Sequence, residues 1–306
     1  MRTNKNTSYR WLILSLSVVM LSSVANAQTL PMGINPGGLM QLATKIDHPG
    51  LVSLGWQLAC PNSFFNHLTS VEMIDLAHEW DMHHFEFSDG QVVTSAFKDQ
   101  KFGPDISAPA LAALTAKLTA VKMDIVSYGP VTLTGKADTD GKIFAFAAKL
   151  KVKNLVVDAP EDSLEALDKL ANQYKVNVAV LNQVKPGNFW NPDTLNKALT
   201  GRDKLIGVCP DLAAYKKSGL TPLDAVTTLA DHLLEFHLTD VDAAGKAAPF
   251  DTGTVNGSGV LKLAKDKGFK GIFAVEYTSG TGPAAYNDFI KSVNNFSTQV
   301  TKLSAK

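Results

Sequence analysis

The 306-residue sequence has only two cysteines, Cys60 and Cys209, and no excess charge, its 29 basic residues balancing 29 acidic ones. Two thiols make no disulfide framework. A zero net charge gives no electrostatic footprint for nucleic acid or for an anionic membrane surface. No Gly-x-Gly-x-x-Gly turn follows an early strand, so nothing marks a doubly wound dinucleotide-binding sheet. The loop Asp251 to Gly257 is turn-rich but lacks the Gly-Lys-Ser/Thr ending of a phosphate-binding loop. The longest apolar run, Trp11 to Leu21, is about half of the ~20 residues that span a bilayer, so no stable membrane span is expected.

That run fits an export signal instead. Arg2, Lys5 and Arg10 form a basic leader before it, and Ala25-Asn-Ala27 is a small-residue cleavage site after it. Residues 1–27 are therefore expected to be a signal peptide, and the mature protein to be periplasmic or secreted. Residues 28–50, rich in Gly, Pro and Asn, read as an irregular lead-in. The remainder, 51–306, reads as one domain, since a chain of this length with 45% hydrophobic residues can bury a single large core.

Within 51–306, short β-prone runs alternate with helical spacing eight times. Strands are expected at Leu51–Ala59, His83–Phe87, Met123–Tyr128, Val152–Asp158, Val176–Gln183, Leu205–Cys209, Leu233–Leu238 and Gly271–Tyr277. Helices are expected at 70–80 with Ser70 as N-cap, then at 109–121, 139–150, 161–174, 192–199, 222–230, 259–267 and 284–303. Eight such alternations define an α/β fold of the (β/α)₈ TIM-barrel type. Cys60 and Cys209 fall on the first and sixth strands, which are not barrel neighbours, so two buried free thiols are expected.

A barrel presents its site residues at the C-terminal ends of its strands. Asp211, His237 and Glu276 end or follow the last three, and two carboxylates with an imidazole can hold a divalent metal. Each residue has another role open to it. Asp211 can cap a helix or turn after Pro210, His237 can be a hydrogen-bonded core histidine, and Glu276 can pair with a lysine or arginine. Glu86, between Phe85 and Phe87, is a candidate acid or base at the barrel mouth. His83 and His84 are adjacent in a strand and so point to opposite faces. Trp190, after Phe189, offers an apolar platform for a sugar ring.

These stretches resemble the xylose isomerase-like TIM barrels, also called sugar phosphate isomerase/epimerase proteins. The resemblance runs from Leu54-Gly-Trp-Gln-Leu58 through the closing helix. It is most specific in Ile206-Gly-Val-Cys-Pro-Asp211, Ser218-Gly-Leu-Thr-Pro222, Phe236-His-Leu-Thr-Asp240 and Gly268-Phe-Lys-Gly-Ile-Phe-Ala-Val-Glu276. It implies one divalent ion (manganese, magnesium, zinc or cobalt) held by Asp211, His237, Glu276 and Gln183, with proton transfer next to a sugar carbonyl. In that scheme Glu276, Asp158 and Glu86 supply the acid/base groups, and Asn182, Trp190 and Asp240 face a carbohydrate.

The chain also departs from the family pattern. Asp211-Leu-Ala-Ala214 stands where relatives read Asp-x-Gly-His, Asn182-Gln183 where they have Asn-His or a ligating Glu, and Asp158-Ala-Pro160 where they have Glu-Pro. Thr239-Asp240 replaces a Lys-Asp pair. Export favours an unphosphorylated sugar or keto-glycoside over a sugar phosphate. The expected activity is isomerisation, epimerisation or a lyase/hydratase reaction, and the alternative is a barrel that binds carbohydrate without catalysis. Homo-oligomerisation is compatible with either reading. A metal-dependent nuclease of the same fold would need more than the 7 histidines present and a basic surface.

Overall fold

The computed structural model describes residues 46–280 and 283–305. The expected export signal and all but the end of the expected lead-in lie outside the described residues.

The chain runs α1 (His48–Leu54), β1 (Gln57–Pro61), α2 (Ser70–Glu79), β2 (His84–Phe87), α3 (Ala108–Val121), β3 (Asp124–Thr132), α4 (Ala137–Leu150) and β4 (Asn154–Asp158). It continues α5 (Leu164–Tyr174), β5 (Asn177–Leu181), α6 (Pro192–Leu199), β6 (Ile206–Cys209), α7 (Leu212–Lys217), α8 (Pro222–Thr228), β7 (Glu235–Leu238), α9 (Gly257–Asp266), β8 (Ile272–Val275) and α10 (Pro283–Ser304). All eight strands are parallel, in the order β6-β5-β4-β3-β2-β1-β8-β7.

The seam between β6 and β7 is closed by two parallel bridges, Val208 to Leu233 and Asp211 to His237, rather than by a full ladder. Gly207 permits the close approach there, because a Cβ at that position would lie 2.3 Å from the His232 carbonyl oxygen. The fold is thus a nearly closed (β/α)₈ barrel, as the alternation predicts.

Helix faces follow the apolar spacing. In α5, Leu164, Leu167, Leu170 and Ala171 are buried on the stripe that meets the strands. Three αβ turns end on lysines in the left-handed region, Lys122, Lys151 and Lys175. Each takes the place that glycine usually fills after a helix. Cys60 and Cys209 are both buried and free, as expected from their strands.

Two local expectations are corrected. The run Leu51–Ala59 is not one strand, since its first half belongs to α1 and β1 begins at Gln57. Terminal chemistry decides this: the Asp47 side chain accepts a 2.7 Å bond from Gly50 N, Pro49 sits in the first turn, and Gly55 ends the helix at φ 73°. The N-cap of α2 is Thr69 rather than Ser70. Thr69 Oγ1 accepts from Glu72 N, and Glu72 Oε2 accepts a 2.8 Å bond from Thr69 N, forming a reciprocal capping box. Helix α7 was not expected and is described with the site.

Candidate functional site

Strand β7 is buried along its length, and its alternation puts Glu235 and His237 on one face with Phe236 and Leu238 on the other. Ser127 of β3 donates a 2.8 Å hydrogen bond to Glu235 Oε1. Strands β3 and β7 are not neighbours, so this contact crosses the barrel interior, and the Glu235/His237 face is the inner one. Asn154 of β4 adds a 3.0 Å bond from Nδ2 to Glu235 Oε2.

Two residues further along β7, toward the strands' C-terminal ends, three acid/base side chains converge. His237 Nε2 is 3.1 Å from Glu86 Oε2, and His237 Nδ1 is 3.6 Å from Glu276 Oε2. Glu86 and His237 are 1% exposed and Glu276 13%. One ligand-type atom from each of the three lies within 4.8 Å of the others. Glu86 Oε1 is buried without a hydrogen-bond partner. Above Glu276 a cavity of about 230 Å³ opens, lined by Ser63, Asn66, Tyr277 and Thr278 among others.

The electrostatics follow from this crowding. Burial works against a charged His237, but the sulfur of Cys209 and the carboxylates of Glu86 and Glu276 outweigh it and hold its pKa well above the ordinary imidazole value. Burial pushes Glu276 up to about 7 despite the attraction of His237. Burial, then the charge of Glu86, pushes Glu235 well above the usual carboxylate range. The Cys209 thiol is likewise pushed up by burial. A carboxyl that titrates near neutrality is suited to give and take a proton.

The other sequence-predicted residues hold partners of their own. Asp211 is the N-cap of α7, its Oδ1 accepting 2.9 Å from Ala214 N and 2.5 Å from Thr239 Oγ1. The bridge to His237 nevertheless sets it beside the cluster. Asn182 is buried and bonded to the Asp211 backbone in both directions, its Oδ1 accepting 2.7 Å from the N–H and its Nδ2 donating 3.2 Å to the carbonyl. Gln183 is half-buried past β5, its N–H donating to the Asn188 carbonyl.

Asp158 accepts a 3.1 Å bond from Asn188 Nδ2. Trp190 is half-buried with Lys185 Nζ 4.5 Å from its ring centroid, a cation–π contact. Asp240 is 4% exposed and committed to backbone amides of its own loop: Val241, Gly253, Thr254 and Val255. Glu235, Ser127 and Asn154 were missed from the sequence. For Glu235 the signal was present, since it stands two residues before His237 in a strand.

The residues present fit a divalent ion. Two carboxylates and an imidazole offer a mixed oxygen and nitrogen donor set, and the partnerless Glu86 Oε1 is a buried acceptor with unused capacity. Asp211 lies alongside with one carboxylate oxygen engaged.

No family model matches the sequence, and no curated protein matches it. The fold, however, is shared with solved structures. An uncharacterized protein from Parabacteroides distasonis aligns at TM-score 0.63 and 24% identity over 81% of this chain and 98% of that one. A xylose isomerase-like TIM barrel protein from Mycobacterium smegmatis, solved in complex with magnesium, aligns at TM-score 0.63 and 12% identity over 82% of this chain and 98% of that one. A 3-keto-D-glucoside 4-epimerase from E. coli, in its apo form, aligns at TM-score 0.60 and 12% identity over 78% and 99%. The chain therefore shares the TIM-barrel fold of these structures, and its structural neighbours include a xylose isomerase-like protein and a sugar epimerase.

Proposed function

We propose that the C-terminal mouth of the barrel is the active site of an exported, divalent-metal-dependent enzyme that moves a proton next to a carbonyl of an unphosphorylated sugar or keto-glycoside. The observation that carries this reading is the convergence of Glu86, His237 and Glu276, the last of which lines an open cavity. Glu86, His237 and Glu276, with Asp211 beside them, would hold the ion. A bound divalent ion supplies Lewis acidity that stabilises negative charge on a substrate oxygen.

The chain's own groups do the rest. Glu276 sits at the cavity and is the carboxylate placed to exchange the substrate proton. Glu86 fixes His237 from below through Nε2. Ser63 and Asn66 offer polar atoms to sugar hydroxyls beside the Tyr277 ring. Magnesium in one neighbour and a keto-glucoside epimerase among the others support metal use and the substrate class.

A second reading, carbohydrate binding without catalysis, is favoured by one observation. Asp211 Oδ1 is already bonded to Ala214 N and Thr239 Oγ1, so the side chain is held as a helix cap and offers an ion at most its other oxygen. Metal content of the purified full-length protein separates the two. One equivalent fewer of manganese, magnesium, zinc or cobalt in His237→Ala and in Glu276→Ala than in the unaltered protein is the expected result. A metal-free protein whose sugar binding survives both changes overturns the enzyme reading.

A further inference from the structure

At the opposite end of the barrel, before the strands begin, a second cluster forms. His48 opens α1, Asp81 lies in the turn after α2, and His83 immediately precedes β2. His48 Nε2 is 3.1 Å from Asp81 Oδ2, and His83 Nε2 is 3.3 Å from Asp81 Oδ1. The two imidazole rings stack with centroids 4.2 Å apart and planes 7° from parallel. One ligand-type atom of each residue lies within 4.8 Å of the others. His84, the next residue, turns away to Asp124 at 2.5 Å.

A clamp between α1 and the turn before β2 needs one histidine on Asp81, and His48 provides it with a further 2.9 Å contact to the Asp81 carbonyl. His83 stacks on the His48 ring and directs a second Nε2 at the same carboxylate. A tetrahedral ion with bonds of about 2.0–2.2 Å separates its nitrogen and oxygen ligands by roughly 3.3 Å. The two nitrogen-to-oxygen separations here, each to a different oxygen of the Asp81 carboxylate, are 3.1 and 3.3 Å, close to that value. The parallel rings must splay for their lone pairs to converge, and His83, 49% exposed, has the freedom to do so.

We propose that His48, Asp81 and His83 form a transition-metal site of the zinc class on the N-terminal face of the barrel. Two imidazoles and one carboxylate favour zinc over the hard oxygen-seeking ions magnesium and calcium. The fourth position is open to a cavity of about 290 Å³ lined by His48 and His83 and walled by Leu51, Trp56, Leu58 and Met82. Water or one donor group of a ligand completes the site there. All three side chains are between 29% and 49% exposed, so an ion reaches them from solvent.

The test uses the full chain in a His237→Ala background, which disables the C-terminal cluster, after removal of metal with a chelator. Zinc is titrated by calorimetry, and cobalt is added as a spectroscopic stand-in. One equivalent of zinc binds, and cobalt gives the intense visible bands of a four-coordinate ion. Adding His83→Ala or His48→Ala weakens binding by more than the about 10–100-fold that an outer-shell change costs. Metal-free melting temperatures identify any variant that fails to fold, and His83→Ala, outside every helix, is the variant least exposed to that failure. Zinc binding that is absent in the His237→Ala background, or unchanged by both further substitutions, overturns the site.

Discussion

The His237 imidazole bridges two carboxylates from different strands, with Nε2 3.1 Å from Glu86 and Nδ1 3.6 Å from Glu276. Those anions help hold its proton against the cost of burial. Glu86→Gln keeps the shape of the side chain and removes one negative charge. Loss of a nearby anion disfavours the imidazolium, so the His237 pKa falls. Nitrogen NMR of the ring across a pH titration of the metal-free protein reads this directly. An unchanged titration would show that Glu86 does not stabilise the charged ring.

Glu276 gives the same cluster a pH-dependent stability. Its folded pKa is raised from 4.5 to about 7, so between those values the folded state binds more protons than the unfolded chain. The contribution of its protonated form is complete below 4.5 and is lost as pH rises through about 7. Glu276→Gln stays neutral throughout and removes that component. Denaturant titrations of the metal-free proteins should therefore show a smaller fall in stability from acid to neutral pH in the variant. Parallel curves for the two proteins would contradict the raised value.

The barrel was legible because its signals are local and repeated: eight apolar runs, each followed by helical spacing, needed no knowledge of long-range pairing. His237 and Glu276 were legible because a polar residue in such a run stands out. Partnership was not legible. Glu86 meets His237 only because β2 and β7 face one another across the interior, and Ser127 and Asn154 meet Glu235 for the same reason. Sequence distance holds no trace of these contacts. The misplaced first strand has another cause: Leu51-Val-Ser-Leu54 is apolar enough for either structure, and the helix is settled by Asp47, Pro49 and Gly55 at its ends.

Asp211 has two separable duties, and two substitutions distinguish them. As N-cap it accepts from Ala214 N, which asparagine does about as well and alanine does not. Asp211→Ala should cost about 1 kcal/mol of stability for the lost cap. Asp211→Asn should keep nearly all of the stability while removing the carboxylate charge beside His237. If Asp211 is also a ligand, metal affinity falls in both variants. If it is only a cap, Asp211→Asn retains wild-type metal content and melting temperature.

Asp240 shows how a strand-end carboxylate is consumed by structure. Its Oδ1 accepts from the N–H groups of Val241, Thr254 and Val255 at 2.7, 3.0 and 3.3 Å, and its Oδ2 accepts from Gly253 at 2.9 Å. These bonds tie the two ends of the loop after β7 together. Gly253 is required for that approach, since a Cβ there would lie 2.3 Å from Asp240 Oδ1. Asp240→Asn leaves one acceptor oxygen and turns an amide donor toward an N–H, so it too is disruptive. Either Asp240→Asn or Asp240→Ala should destabilise the protein by roughly 1–3 kcal/mol, the cost of leaving buried donors unsatisfied. Hydrogen exchange should quicken at Gly253, Thr254 and Val255 while the amides of β7 stay protected. Unchanged exchange at those three residues would show that the loop is held by other contacts.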